Sequence, residues 1–187
     1  MKSFNKINRG LLFTLAVLLV TAIYLISLTV RVKDMKKEAE RFMNGFLAAD
    51  AGWKVIPEEY RDDYAGYVKK IEPEVRRYFA EDGAYEYYIE NNIHEQYRKK
   101  NFYKSCSIFI QDIYDPGYND GVLSMRFFLG ISGKTDQNET EFEPFRNTYR
   151  FSFKRVDGEL KIYYLNYSLE NSGAGSGIYS TSYVYGR

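Results

Sequence analysis

The sequence predicts an α+β body behind a membrane-spanning helix, and three observations carry that reading. An uncharged apolar run, LLFTLAVLLVTAIYLISLTV, occupies residues 11–30. Helical spacing of apolar residues follows it, and alternation with a period of two takes over from about residue 105. Helices followed by a run of strands imply helices packed on one face of a curved antiparallel sheet. These shifts divide the chain into a short tail at 1–10, a transmembrane helix at 11–31, an α+β domain at 32–170 and a flexible Gly/Ser/Tyr-rich tail at 171–187.

As a helix of ~1.5 Å rise per residue, the apolar run spans about 30 Å, the thickness of a hydrocarbon core. Thr14, Thr21, Ser27 and Thr29 are scattered around it and form no polar face, which counts against a core helix of a soluble protein. Val20-Thr21-Ala22 resembles a small-residue cleavage site, but cutting there would leave IYLISLTV on the mature chain. An uncleaved single-pass anchor is therefore expected. Lys2, Lys6 and Arg9 precede the run; Arg31, Lys33, Lys36, Lys37 and Arg41 follow it. Taken literally, the positive-inside rule leaves the body in the cytoplasm, yet long domains translocate largely regardless of charge. The residues alone leave the orientation open.

The 187 residues carry a net charge of +1, which hides an asymmetry. Residues 1–33 hold five basic side chains and no acidic one, so the rest has 21 basic against 25 acidic. A mildly acidic body without a basic, aromatic-interleaved stripe is a poor match for phosphate backbones, so no nucleic-acid partner is expected. Cys106 is the sole cysteine, so there is no internal disulfide, no CxxC and no lipid acceptor after the apolar run. It reads as a buried structural thiol in a strand. With 19 Tyr and 13 Phe against one Trp, the body is rich in side chains that suit half-buried sheet faces and interfaces.

Along the body, Ala39, Phe42, Met43, Phe46 and Leu47 form one helical stripe, with Lys36, Lys37, Glu40 and Arg41 opposite. This helix is expected to continue out of the membrane and dock on the body, fading near Gly52. Pro57 is expected to open a second helix, with Glu58 and Glu59 in its first turn and Tyr60, Tyr64, Tyr67, Val68 and Ile71 on its apolar face. Pro73 is expected to open a third, short helix that ends near Gly83. The stretch AYEYYIENNIHEQYRKKNFY fits neither period cleanly. Then Leu123, Met125, Phe127, Leu129 and Ile131 alternate, as do Tyr149, Phe151 and Phe153, and Leu160, Ile162 and Tyr164. Asp157-Gly158 between two alternating runs signals a type I′ hairpin, which needs φ > 0 at both central residues. DPGYNDG reads as another hairpin connection and SGKTDQNETEFEP as a longer polar loop.

The closing hairpin FSFKRVDGELKIYYL, after N-terminal helices, resembles the nuclear-transport-factor-2-like (SnoaL-like, cystatin-like) superfamily. Its members commonly end on two long strands joined by an Asp-Gly or Gly-Gly turn and followed by a Lys-Ile pair, here Lys161-Ile162. Leu160 stands where many members carry Trp. The resemblance covers about residues 34–170 and implies a cone-like, cystatin-like roll whose mouth can hold a ligand. It also supplies most of the expectation that the body lies outside the cytoplasm at the cell membrane. A second resemblance, in architecture, is to the bitopic scaffold subunit of type IV secretion and conjugation systems. The Asn-Pro motif of the Gram-negative version is absent.

Enzymes of that superfamily place Asp, His or Tyr inside the cone, but no such motif transfers to this chain residue by residue. His94 is the only histidine and the usual acid/base candidate near neutral pH, although a solvated or capping role is the simpler reading. Tyr60, Tyr64 and Tyr67 have helical spacing and fit core packing better than a ligand lining. Together with His94 they are the candidate pocket or interface residues. The Asp62-Asp63 and Glu58-Glu59 pairs read as solvated surface. Phosphate loop, metal-ligand spacing and nucleophile elbow are all missing, so no catalytic residue, cofactor or metal is expected. The expected function is binding or assembly at a membrane, with a protein partner or a second copy. A conjugation scaffold and a small-molecule-binding or SnoaL-like enzyme are the alternatives.

Overall fold

The computed structural model describes residues 9–138 and 142–168. The chain divides into two compact units, Met1–Lys37 and Glu38–Arg187. Helix α1 (Arg9–Lys54) provides the described part of the first unit, and its residues from Glu38 onward belong to the second.

In the first unit the helix is long and apolar enough to cross a membrane, and none of its most apolar eighteen-residue window is buried. Phe13 is 72% exposed and Val20 66%. Leaving such a surface in water would be costly, at about 25 cal/mol per Å² of apolar area. Its three threonines are already satisfied: the hydroxyls of Thr14, Thr21 and Thr29 donate to the carbonyls of Gly10, Val17 and Leu25 at 3.0, 2.9 and 2.8 Å. A hydroxyl bonded back to its own helix suits a hydrocarbon environment, where unmet polar groups are expensive.

The second unit is α+β. After α1 come a single 3-10 turn (Glu58–Tyr60), α2 (Tyr64–Arg76), α3 (Asp82–Tyr88), a π-helical turn (Ile89–His94) and α4 (Glu95–Lys99). Four strands then run as a meander: β1 (Tyr103–Asn119), β2 (Val122–Thr135), β3 (Phe142–Val156) and β4 (Glu159–Ser168), antiparallel throughout in the order β1-β2-β3-β4. The alternation read from sequence is borne out in β2 and β3; in β4 it holds for Leu160 and Ile162, but a register shift between Ser152 and Phe153 gives the next inner position to Leu165 instead of Tyr164. Leu123, Met125, Phe127 and Leu129 of β2, and Phe151 and Phe153 of β3, are buried on the face that meets the helices. Phe46 of α1 sits at the centre of that core, with ring contacts to Trp53, Tyr78, Phe79, Tyr88 and Phe151 at 5.4–6.3 Å.

Both tight turns are Asp-Gly. Asp157 and Gly158 have φ of 52° and 85°, and Asp120 and Gly121 have 47° and 80°. These are the left-handed conformations a type I′ turn demands. The second hairpin connection is thus shorter than read from DPGYNDG. Strand β1 runs through Pro116 and Gly117 to Asn119, absorbing them in a register shift between Tyr114 and Gly117. The loop read as SGKTDQNETEFEP is likewise shorter, because β2 extends to Thr135 and β3 begins at Phe142.

The helix boundaries differ more. Pro57 opens only the 3-10 turn, and α2 starts at Tyr64, where the Asp63 carboxylate accepts from the Gly66 N–H at 2.8 Å. Asp63 is therefore an N-cap rather than plain solvated surface. Pro73 lies inside α2 instead of opening a helix. An internal proline loses one hydrogen bond and costs roughly 3 kcal/mol, but Ile71 and Val75 are both buried and hold the helix through it. Gly83 falls in the first turn of α3 and ends nothing. The ambiguous stretch after it is helical to Lys99. The tail at 171–187 lies outside the described residues, as do positions 1–8.

Candidate functional site

The most chemically distinctive place in the body is a buried polar cluster between α1, the π-helical turn and the sheet. Asp50 and Lys54 stand one helical turn apart, with side chains 8% and 6% exposed, and the ammonium lies 3.1 Å from Asp50 Oδ1. The Tyr88 hydroxyl donates to the same carboxylate oxygen at 2.6 Å. Lys54 also donates to Asn92 Oδ1, and its Nζ lies 5.9 Å from the centroid of the Tyr88 ring. Asn92 Nδ2 in turn donates to the Tyr88 carbonyl at 2.9 Å. Gln96 Nε2 donates to the Asn92 carbonyl at 3.3 Å, and the Tyr103 N–H, at the start of β1, donates to Gln96 Oε1 at 3.2 Å. A hydrogen-bonded chain thus runs from α1 to the first strand.

Burying a charge is expensive unless it is paired and hydrogen-bonded, and here each charge has both. The π-helical turn places Asn92 where it meets Lys54; such local widenings recur at functional sites. Beyond the cluster lie Ile108, Leu129, Ile131, Tyr149 and Phe151 of the sheet. The space between them is about 10 Å³, room for one water molecule at most. At this place, among the described residues, the side chains leave no room for a larger ligand.

Electrostatics at this end disfavour ionised nucleophiles. Burial pushes the Cys106 thiol up to about 11, against a smaller opposing pull from Lys54. A reactive thiol needs the opposite shift. Burial likewise raises the Tyr103 phenol to about 12. Cys106 lies in a strand, as expected, but it is half-buried rather than buried.

The four residues singled out in the sequence do meet, but elsewhere. Tyr60 and Tyr67 rings lie 5.7 Å apart, Tyr64 and His94 5.1 Å, and Tyr64 and Tyr97 5.2 Å. The Tyr97 hydroxyl donates to the Tyr60 carbonyl at 2.8 Å and the buried Tyr67 hydroxyl to the Trp53 carbonyl at 2.6 Å. Burial raises Tyr67 to about 12. His94 Nδ1 sits 2.7 Å from Glu90 Oε2 on a half-exposed surface. This is a packed aromatic group tying α2 to α4. It lines neither the small cavity nor an open groove of about 600 Å³ bordered by Arg41, Phe42, Arg77, Tyr78 and Leu160.

Asp50, Lys54, Tyr88 and Asn92 were not singled out from the sequence. One signal was available: the stripe Ala39-Met43-Phe46-Leu47, continued by one and two turns, lands on Asp50 and Lys54. A carboxylate and an ammonium on the apolar side of a helix mark a buried pair. Among the described residues, no group of three or more His, Cys, Asp or Glu side chains is placed to hold a metal.

Neither a protein-family model nor a curated protein matches the chain. Among solved structures, a candidate aromatic ring hydroxylase from Novosphingobium aromaticivorans aligns with 60% of this chain and 90% of its own, at 15% identity and a TM-score of 0.36. A likeness that loose transfers neither a fold assignment nor the role of any residue.

Proposed function

We propose that the chain is a single-pass membrane protein whose body, of the nuclear-transport-factor-2-like type, lies outside the cytoplasm and acts by association rather than by turnover. The observation that carries this reading is the closed polar cluster: the buried polar groups of Asp50, Lys54, Tyr88 and Asn92 are bonded to one another, with space beside them for one water at most. The apolar helix, with its self-satisfied threonines, supports an uncleaved anchor. Abundant tyrosine at half-exposed positions suits a binding surface, where aromatic residues are enriched.

Three measurements test the proposal. Sequencing the N-terminus from the membrane fraction should return the start of the chain, and a mature end at Ile23 would remove the anchor. Protease added to intact cells should digest the body, and protection until lysis would reverse the orientation. Amine-reactive cross-linking in native membranes should capture self-adducts or a membrane partner. Capture of conjugation or secretion components would narrow the role to a scaffold subunit. No adduct at all, with a small apolar molecule retained by the purified protein, would replace association by ligand binding.

A further inference from the structure

The outer face of the sheet, away from the helices, sets like charges in direct opposition. Arg126 of β2 stands across from Arg150 of β3, and Lys154 of β3 across from Lys161 of β4. Their neighbours along the strands, such as Met125, Phe151, Phe153 and Ile162, are buried on the inner face, so these four basic residues belong to the outer one. Ser124 and Ser152 lie between the two pairs, with their hydroxyls 2.7 Å apart. Arg150 and Lys154 are exposed, and the Lys154 ammonium lies 5.1 Å from the centroid of the Tyr163 ring. Among the described residues, the carboxylates on this face stand at its margins: Glu159 is 3.6 Å from Lys161 beside the β3–β4 turn, and Asp112 is on the β1 edge. Like charges directly opposed destabilise a sheet. Here two such pairs share one face of a body that is acidic overall.

The helical layer carries the opposite arrangement. Between Arg77 and Arg98 the sequence has five carboxylates and no Lys or Arg. Asp82 and Glu86 of α3 and Glu90 of the π-helical turn follow one another at intervals of four, and all three are exposed, while Tyr85, Tyr88 and Ile89 turn inward. Arg76 pairs with Asp82, and His94 Nδ1 lies 2.7 Å from Glu90 Oε2; Glu86 stands between these two carboxylates on the same ridge. Like charges four residues apart cost a helix stability. Each surface thus holds a local penalty that the other could relieve.

Resting on the reading that the body works by association, we infer that the outer face of the sheet docks the Asp82–Glu90 ridge of a second copy, head to tail. Charge and spacing both argue for this occupant. Four residues of strand separate Arg150 from Lys154, about 13 Å, and eight residues of helix separate Asp82 from Glu90, about 12 Å. A helix laid along β3 therefore sets its end carboxylates over the two basic pairs, and Glu86 over the hydroxyls of Ser124 and Ser152. Two sheet faces set against each other would instead oppose basic to basic. Because the docking surfaces differ, each pair of copies leaves one of each kind uncovered, and association continues from copy to copy.

The experiment uses two differently tagged full-length copies expressed together in native membranes. They should copurify after mild solubilisation, and zero-length carbodiimide coupling beforehand should join Lys154 of one copy to Asp82 or Glu90 of the other. Arg150→Glu with Lys154→Glu, carried by both copies, should lower copurification about tenfold, since like charges then face each other across the interface. Glu86→Lys with Glu90→Lys, carried by both copies, should do the same. One copy of each double variant should copurify again, because the intact sheet face of one meets the intact ridge of the other. Should a charge reversal disturb folding, Arg150→Gln with Lys154→Gln should still lower copurification several-fold. Copurification untouched by either double variant, or no recovery on mixing them, would overturn the head-to-tail docking and leave association intact. Carbodiimide capture of other chains only would do the same. Binding of the purified chain to phosphatidylglycerol vesicles that is lost with Arg150→Glu and Lys154→Glu, without copurification, would give the face to a lipid surface and overturn the docking. Neither copurification nor any adduct would remove both readings.

Discussion

The β4 side and the β1 side of the sheet are held to the helices by different physics. At β4 the contact is dry. Phe79 packs on Phe46 and Tyr88 at 5.9 and 5.5 Å, Phe42 packs on Phe153 at 5.9 Å, and backbone bonds from Tyr78–Ala80 close the edge. At β1 the tie is polar, a chain from Asp50 and Lys54 through Tyr88, Asn92 and Gln96 to the Tyr103 N–H. Dry packing gains stability in proportion to the area buried, whereas a buried polar chain adds little net stability and is strongly destabilised when one member is lost. The difference teaches that the β1 side is specified more than it is stabilised.

The largest effect should come from breaking the polar side. Asp50→Ala leaves the Lys54 ammonium buried with its carboxylate gone, and should cost about 3–5 kcal/mol in urea melts of the detergent-solubilised chain. The double change Asp50→Leu with Lys54→Met should recover most of that loss, because it removes both charges. A double variant as weak as the single one would show that the pair contributes more than mutual neutralisation.

Next comes the dry side. Ile162→Ala removes a fully buried side chain from the centre of the β4 contact and should cost about 2–5 kcal/mol. Ile108→Ala on the half-exposed strand should cost about half as much or less, since a partly exposed side chain leaves a smaller cavity and water can fill it. Equal losses would mean that β1 is buried as deeply as β4, and would erase the contrast.

Gly158→Val should destabilise by more than about 1 kcal/mol, because a β-branched residue at positive φ is a genuine outlier. Gly121→Val, in the β1–β2 turn, meets the same backbone demand and should give a similar loss. An unchanged midpoint at either position would mean that the turn can relax, most simply on the side whose strand packs least.

The smallest effect is alkaline. Burial raises Cys106 and Tyr103 above their ordinary values, so the folded state favours their neutral forms. Their contribution is fully present below the ordinary values of 9.0 and 10.0 and is lost as pH rises through about 11 and about 12. Urea midpoints should therefore fall between pH 9 and pH 12, and alkylation of Cys106 at pH 8 should be slower than that of an unburied thiol. A thiol that reacts as fast as a free one would place Cys106 outside the polar side of the core.

What the sequence determined by itself is what short-range physics controls. A twenty-residue uncharged run can only satisfy its backbone as a helix, and alternation at Leu123–Ile131 or Tyr149–Phe153 can bury one face only as a strand. Asp157-Gly158 had to turn tightly because few other pairs accept positive φ twice. The candidate site was legible only in part: Tyr60, Tyr64, Tyr67 and His94 do converge, because helical spacing brings neighbours together. The tertiary structure decided the rest. Pro73 became internal because Ile71 and Val75 gain more from burial than the lost hydrogen bond costs. Asp50 and Lys54 became buried because Tyr88 and Asn92, some forty residues onward, arrive to satisfy them. Segment Tyr78–Ala80 closed one sheet edge and left the other open. Each of these outcomes is a balance between a local penalty and a gain supplied from far along the chain, and local patterns carry only the penalty.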